Sequence, residues 1–208
     1  MPTIDWNKRW GAQVTEHVRA GDDYFWGNQW GPPQERPALQ AVIDRYITPF
    51  IHADTVVLEI GPGGGRWTQF LVGARELVLV DLNPEFFDYL RERFPAERAR
   101  LRFYATRGAE LDGIDDRSID FVFSFGALVH VDPADIEAYL GHLHRVMKPG
   151  ARAALQYADK TKPAARDNDS FSHMDAPTME AFARRADFAI EVHDTTLITH
   201  SNIVVLRR

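Results

Sequence analysis

The sequence predicts an α/β fold in which a mostly parallel sheet carries helices on both faces. The first observation is the run VVLEI at residues 56–60, whose apolar residues are typical of a parallel strand buried on both sides. The second is the glycine-rich turn GPGGG directly after it. The third is the order of the remaining segments, in which strand-like runs alternate with segments of helical spacing.

A helix is predicted before this strand, at residues 37–50. Its apolar residues recur at spacings of three and four, which places them on one face: Leu39, Val42, Ile43, Tyr46, Ile47 and Phe50. That face is expected to pack on the sheet.

Glu59 is the charged residue of the first strand. A carboxylate in such a run is costly unless it is paired, so we expect it to meet a ligand or backbone donors at the carboxyl end of the strand. The glycines at 61–65 allow positive φ and let a ligand approach the backbone. Beyond them, Trp67, Phe70 and Leu71 predict a second helix whose amino end faces the site, with Arg66 as a solvated residue of its first turn.

Asp81 ends the second predicted strand, which begins at Leu77. A carboxylate in this position can accept hydrogen bonds from both ribose hydroxyls, so it favours an adenosine cofactor. Asn83 is expected to cap the next helix, with Pro84 at the first helical position.

The third and fourth strands are shorter apolar runs farther along the chain. The third contains Leu101, Phe103 and Tyr104, and the fourth contains Phe121, Val122 and Phe123. Asp132 and Pro133 then start a helix whose buried face holds Ile136, Leu140 and Leu143.

The spacing E-x-G-x-G-x-G from Glu59 to Gly65 resembles the first motif of class I S-adenosylmethionine-dependent methyltransferases. The dinucleotide pattern G-x-G-x-x-G fails, because it requires a small residue where Arg66 stands. The stretch SIDFVFSFGALVHVDP resembles the family's fourth strand and its exit. RVMKPGARAALQY resembles the family's L-K-P-G-G turn before the fifth strand, with Ala151 in place of the second glycine.

The resemblance implies a Rossmann-like sheet of seven strands that ends in an antiparallel hairpin, formed by FAIEVHD and HSNIVVLRR. It also implies S-adenosyl-L-methionine as the cofactor. The implied cofactor contacts are Glu59, Gly61, Pro62, Gly63, Gly65, Asp81, Leu82, Gly108, Ala109, Ser124, Phe125 and Gly126. The family's adenine-contacting acidic residue is not matched after the third strand, so Gly108 and Ala109 are expected to offer backbone groups there.

The expected partner is a small-molecule acceptor, and the composition excludes several other partners and chemistries. The net charge of -6 argues against a non-specific nucleic-acid binder. The absence of cysteine excludes disulfides, thiolate catalysis and cysteine-based zinc sites. No stretch approaches the ~20 apolar residues of a membrane span, and the first residues lack the apolar core of a signal peptide, so we expect a cytoplasmic protein without membrane contact. The oligomeric state stays open.

Two segments are expected to flank the site of a single methyltransferase domain at 37–208. Residues 1–36 form an aromatic-rich N-terminal extension with four of the five tryptophans. This extension is either a cover for one edge of the fold or a lid, and as a lid it offers Tyr24, Trp26 and Trp30 to the acceptor. The polar insertion at 158–176 is the candidate substrate loop and contributes His173.

Histidines are the candidate catalytic residues. His130 leaves the fourth strand near the expected methyl group, and an ordinary histidine pKa of about 6.5 suits proton removal. His173 is the second candidate, and His200 ranks lower. The acidic residues Asp159, Asp167, Asp169 and Asp175 match no metal-ligand template, so no metal is expected.

The predicted function is S-adenosylmethionine-dependent methylation of a small-molecule or sugar hydroxyl. Two alternatives remain open, namely an N-methyltransferase that acts on a small amine and a non-catalytic S-adenosylmethionine-binding protein. The presence of Glu59, the glycine turn and Asp81 together favours an enzyme.

Overall fold

The fold is built on a seven-stranded sheet, seen in a computed structural model that describes Ala12 and residues 31–208. The strands are β1 (Val56–Ile60), β2 (Glu76–Asp81), β3 (Leu101–Ala105), β4 (Ile119–Ser124), β5 (Met147–Ala158), β6 (Ala189–Asp194) and β7 (Ser201–Arg207). Their order in the sheet is β3-β2-β1-β4-β5-β7-β6. The first five strands pair in parallel, and β7 is antiparallel to both β5 and β6. The predicted fold class is confirmed.

Helices cover both faces of the sheet. The helices are α1 (Pro37–Tyr46), α2 (Phe86–Arg93), α3 (Pro133–Val146), the short α4 (Pro163–Arg166) and α5 (Ala176–Arg185). Successive residues of β1 point to opposite faces, so Leu58 joins the core under α3 and α5, while Val57 joins the core under α1 and α2. Within residues 31–208 there is no helix with the length and apolar character that a membrane crossing requires.

Helix α1 is shorter than the periodicity predicts. It ends at Tyr46, and Thr48–Phe50 forms a separate 3-10 turn. The reason is Pro49, which lacks a backbone N–H and disfavours helical geometry in the residue before it. Phe50 still packs on the sheet, stacked on Phe121 with ring centroids 4.8 Å apart.

The second helix predicted after the glycine turn is wrong. The segment contains only the 3-10 turn Thr68–Phe70, and the glycine turn before it includes Gly63 and Gly65 with positive φ of 50° and 83°. Trp67 instead packs against Phe125, with ring centroids 4.4 Å apart. A three-residue turn lacks the aligned peptide dipoles of a helix, so the expected helix amino end is not part of the site.

The insertion after β5 folds back over the exit of β4. The backbone N–H of Ser172 donates to Val129 O at 2.8 Å, and the N–H of Lys160 donates to Met174 O at 2.9 Å, which closes the base of the loop. The Lys160 ammonium donates to three carbonyls inside the loop, those of Ala165, Arg166 and Asn168. The insertion is therefore an ordered element at the carboxyl edge of the sheet.

Gly61 should be the glycine least tolerant of a side chain. Its φ is 72°, and a Cβ there would lie 2.3 Å from the Cβ of Ala127. We expect Gly61→Ala to lower the free energy of unfolding by roughly 2–4 kcal/mol, because backbone strain and overpacking add. Gly150 has a similar φ of 81° and no described atom within 4 Å of such a Cβ, so Gly150→Ala should cost only about 1 kcal/mol. Urea unfolding measures both free energies. An equal loss in the two variants would contradict the steric contact between residue 61 and Ala127.

Candidate active site at the carboxyl edge of the sheet

The candidate site lies where β1, β2 and β4 end. The three strand ends are joined by short hydrogen bonds: Gly61 N–H donates to Val80 O at 2.8 Å, and the Ser124 hydroxyl donates to Ile60 O at 3.0 Å. Ligands of parallel α/β sheets bind at this edge, at the point where the strand order reverses. In this sheet the reversal lies between β1 and β4.

Asp81 is buried at the end of β2 and holds the glycine turn. One carboxylate oxygen accepts the backbone N–H of Gly63 at 3.1 Å, and the other accepts the N–H of Asn83 at 2.9 Å. Burial raises the pKa of Asp81 to about 6, although these hydrogen bonds oppose the rise. Each oxygen can accept more than one hydrogen bond, so the carboxylate retains capacity for a ligand hydroxyl.

The expected helix start beside Asp81 is displaced. Helix α2 begins at Phe86, with Glu85 as its N-cap residue, and no side chain caps it. Asn83 closes a turn instead, since its carbonyl accepts the N–H of Phe86 at 3.1 Å.

Glu59 is buried in the centre of the sheet, with only 2% of its surface exposed. Its carboxylate accepts the hydroxyl of Thr68 at 2.7 Å, so the partner is a side chain rather than the expected backbone donors. Burial raises the pKa of Glu59 to about 8. The Thr68 hydrogen bond and the Arg93 charge oppose the rise, and the Asp81 charge adds to it.

Two arginines fasten the glycine turn. Arg93 from α2 donates to Gly64 O at 2.6 Å. Arg66 donates to Gly31 O at 2.9 Å and lies 5.6 Å from the Trp67 ring centroid, so the expectation of a solvated helix residue is wrong. Burial and the nearby Arg36 charge lower the pKa of Arg66 to about 10. Arg66 thus joins the turn to the residue that follows the aromatic segment.

The loop after β3 is held by its own polar groups. The Gly108 carbonyl accepts the Tyr139 hydroxyl at 2.9 Å, and it also lies 2.8 Å from the Thr106 hydroxyl. The Gly108 N–H donates to the Thr106 oxygen at 3.3 Å. Ala109 lies in the core. The backbone groups of Gly108 therefore have partners within the loop.

The exit of β4 exposes backbone next to the glycine turn. Gly126 has a φ of 83°, and no described atom lies within 4 Å of where its Cβ would be. Its N–H donates to Gln156 Oε1 at 2.7 Å, and Gln156 Nε2 donates to the Ser201 hydroxyl at 2.7 Å. Phe125 is half-buried against Trp67. Gln156 and Thr68 are residues of this edge that sequence reasoning missed.

His130 lies at the end of the 3-10 turn Leu128–His130, beside the insertion. Its Nδ1 is 2.7 Å from Ser170 O, and a carbonyl only accepts, so Nδ1 carries the proton when the ring is neutral. Burial lowers the pKa of His130 to about 4; the Ser170 hydrogen bond opposes this and the nearby His200 adds to it. The His130 ring also packs against Phe171, with centroids 5.4 Å apart.

His173 does not join His130, because its side chain is exposed on the insertion. The acidic residues of the insertion also stay apart. Asp159 is buried and accepts hydrogen bonds from Thr161 and Asn202, and Asp175 caps α5 by accepting the N–H of Thr178 at 2.8 Å. Asp167 and Asp169 are exposed. Across the residues that the structure describes, no three metal-ligating side chains come together.

A concavity lies at the opposite, amino edge of the sheet and holds no reactive arrangement. This groove of about 340 Å³ is lined by Pro49, Phe50, His52, Asp54, Thr55, Asp120, Phe121 and Arg152. Asp120 is engaged by the N–H of Val56 at 2.9 Å and by Lys148 at 2.6 Å. Arg152 pairs with Glu191 at 2.6 Å. The candidate chemistry therefore stays at the carboxyl edge.

Tyr24, Trp26 and Trp30, the expected acceptor contacts, lie outside the described residues. The first described residue beyond them is Gly31, whose carbonyl accepts the hydrogen bond from Arg66.

Sheet order, the glycine turn and the acidic strand end together define an α/β domain of the nucleotide-binding type. Residues 57–150 match the family described as a methyltransferase domain. This match covers β1 to β4, and it supports the resemblance to class I S-adenosylmethionine-dependent methyltransferases and S-adenosylmethionine as the expected cofactor.

Relatives and solved structures agree with this placement. A methyltransferase-like protein of Schizosaccharomyces pombe is 29% identical over 134 residues, which cover 62% of this chain and 49% of that protein. The chain thus spans about half the length of this curated relative.

An S-adenosylmethionine-dependent methyltransferase from Mesorhizobium loti superposes with a TM-score of 0.70 at 15% identity, covering 84% of this chain and 99% of that chain. The 1,6-didemethyltoxoflavin-N1-methyltransferase of Burkholderia thailandensis gives 0.67 at 22% identity, covering 100% of this chain and 91% of that chain; its structure holds 1,6-didemethyltoxoflavin and S-adenosylhomocysteine.

Glu59 should make stability depend on pH in a recognisable way. Its raised pKa means that the folded protein keeps a proton between pH 4.5 and about 8 that the unfolded chain has released. The contribution to stability is therefore complete below pH 4.5 and is lost as the pH rises toward 8. We expect Glu59→Gln to raise the free energy of unfolding at pH 8 by roughly 1–3 kcal/mol relative to wild type and to change it little at pH 5.

Urea unfolding of the ligand-free protein at several pH values measures this difference. The exposed Glu85→Gln serves as the control for loss of one carboxylate. A constant difference between Glu59→Gln and wild type across pH 5–8 would show that Glu59 is ionised throughout.

Proposed function

We propose that the chain transfers a methyl group from S-adenosylmethionine to a hydroxyl of a small molecule. The observation that supports this most directly is the meeting, at one sheet edge, of the Asp81 carboxylate with the glycine turn that it holds, the exposed backbone of Gly126 and the neutral His130. When bound, S-adenosylmethionine supplies a methyl carbon activated by its sulfonium group, so the protein chiefly has to position an acceptor.

The residues present fit this cofactor. The Asp81 oxygens keep acceptor capacity for ribose hydroxyls, and Leu82 follows at the same strand end. The glycine turn at 61–65 offers backbone to the methionine part, and Ser124 to Gly126 border it from β4. Glu59 and Asp81 are two buried carboxylates of raised pKa, and a cationic ligand favours their ionised forms. Gly108 and Ala109 are retained as neighbours of the adenine through their loop.

His130 is the proposed hydrogen-bond acceptor for the acceptor hydroxyl. With the proton on Nδ1, the other ring nitrogen carries the lone pair that orients an O–H group. A pKa of about 4 keeps the ring neutral near pH 7 but makes it a weak base. Its role is therefore to orient the hydroxyl and to receive the proton as the methyl group is transferred.

An amine acceptor is the alternative for the same site. A neutral imidazole orients an N–H group as well as an O–H group, and the structural neighbour from Burkholderia thailandensis is named as an N1-methyltransferase. A cofactor-binding protein without catalysis is the third possibility. Methylation assays with phenol, sugar and amine pools, read by S-adenosylhomocysteine release, separate the three.

We also propose that residues 1–36 form an extension that closes over the acceptor, with Tyr24, Trp26 and Trp30 as its contacts. The support is the Arg66 hydrogen bond to Gly31, which holds the chain next to the glycine turn immediately after Trp30. Aromatic side chains are typical walls of small-molecule sites.

Loss of the Asp81 carboxylate should weaken binding of the cofactor. We expect Asp81→Ala to make the binding free energy of S-adenosylmethionine less favourable by roughly 1.5–3 kcal/mol, because charge-assisted hydrogen bonds to the ribose disappear. Calorimetry on variants shown to be folded by circular dichroism measures this effect. The matched control is Asp159→Ala, which removes another buried carboxylate, at the end of β5. If both variants bind the cofactor equally well, Asp81 only supports the turn.

Removal of the His130 ring should slow turnover. We expect His130→Ala to lower kcat by ~100-fold or more, with a much smaller change in cofactor affinity. In wild type under saturating substrates, kcat should stay level down to about pH 5.5 and fall only as the pH approaches 4, because imidazolium has no lone pair to offer. His52→Ala, at the opposite edge of the sheet, is the control. A fall in the kcat of wild type near pH 6.5 would contradict this role of His130. So would a fall in kcat at acidic pH that persists in His130→Ala.

A further inference from the structure

Three elements meet in an aromatic stack beside the candidate site. Phe171 of the insertion packs against both His130, at the exit of β4, and His200, in the loop just before β7. Its ring centroid is 5.4 Å from that of His130 and 5.1 Å from that of His200, and the planes of Phe171 and His200 differ by only 15°. The Phe171 ring thus contacts both imidazoles and holds them near one another.

The His200 ring has polar capacity that residues 31–208 do not use. Its ring nitrogens make no hydrogen bond to the residues of 31–208, whereas His130 and His193 each have such a partner. Its only ring contact in that part of the chain is Phe171. The side chain is half-buried, and burial together with the Lys162 charge lowers its pKa. A half-buried neutral imidazole whose nitrogens are not engaged by the described part of the chain is suited to bind a polar ligand.

The position of His200 is fixed to the site through its neighbour. Ser201 accepts a hydrogen bond from Gln156, which in turn accepts the N–H of Gly126 on the open β4 exit. The His200 carbonyl accepts the N–H of Asp159 at 3.2 Å, so its backbone is also tied to the base of the insertion. His173, in contrast, is exposed on the same insertion.

We infer that His200 binds the methyl acceptor by a hydrogen bond to a polar group other than the one that is methylated, with Phe171 holding the ring in place. The inference rests on the proposed function, since it assigns a second contact in the same acceptor site. It narrows the acceptor to a small molecule with at least two hydrogen-bonding groups, one for His130 and one for His200. It also assigns the second histidine of the site to His200, in the loop before β7, in place of His173 on the insertion.

The ring nitrogens can be observed directly. The full chain is labelled with ¹⁵N-histidine, loaded with S-adenosylhomocysteine and titrated with catechol, methyl glucoside and tyramine, which stand for phenol, sugar and amine acceptors. Long-range ¹H–¹⁵N spectra, assigned with His200→Ala, report each ring. We expect at least one compound to shift the His200 ring nitrogens and to leave His173 unchanged. If none of the three shifts them while the cofactor product is bound, the inference is overturned.

Kinetics with any compound that wild type methylates gives the second measurement. We expect His200→Ala to raise the acceptor KM at least ~10-fold, as loss of one hydrogen bond implies, with kcat and cofactor Kd changed less than ~3-fold. His200→Gln, which keeps an acceptor oxygen, should recover part of the loss. Thr199→Ala controls for disturbance of the loop before β7.

The outcomes separate this inference from the proposed function. Wild-type turnover with an unchanged KM in His200→Ala would overturn the inference alone, and so would a larger KM effect from His173→Ala. Normal cofactor binding without turnover of any pool would overturn the proposed function, and the ring-nitrogen titration would still decide whether His200 contacts small molecules.

Discussion

The architecture of the site depends on one buried carboxylate. Asp81 joins the end of β2 to the glycine turn through the N–H of Gly63 and to its own turn through the N–H of Asn83. A carboxylate without such donors would be costly at this depth, so the turn and the strand end stabilise each other. Because the donors come from the backbone, they fix the path of the turn whatever side chains surround it.

The electrostatics of this edge favour a cationic ligand. Glu59 and Asp81 are both buried, and each has a pKa above that of an ordinary carboxyl group. Thr68 and Arg93 offset only part of the cost at Glu59. A ligand with positive charge lowers that cost by stabilising the ionised carboxylates, and S-adenosylmethionine carries such charge on its sulfonium and ammonium groups.

The aromatic cluster beside the candidate site is assembled from segments far apart in sequence. The β4 exit provides His130, the insertion provides Phe171, and the loop before β7 provides His200. The insertion reaches this place because Ser172 hydrogen bonds to Val129 and Lys162 donates to the carbonyls of Ile198 and Ser201. These contacts bind the insertion to both neighbouring loops, which explains how a polar segment comes to border a site at the sheet edge.

The sequence by itself determined the strands, their class and the place of the site. Apolar runs such as VVLEI mark buried strands because side-chain burial follows local periodicity, and Asp81 follows one of them at a strand end where ligands bind. Tertiary structure decided the rest. The absence of a helix after the glycine turn, the Thr68 partner of Glu59, and the packing of Phe171 against His200 depend on tertiary structure. The spacing of residues along the sequence does not predict such contacts, since they form only when the sheet brings its strand ends together.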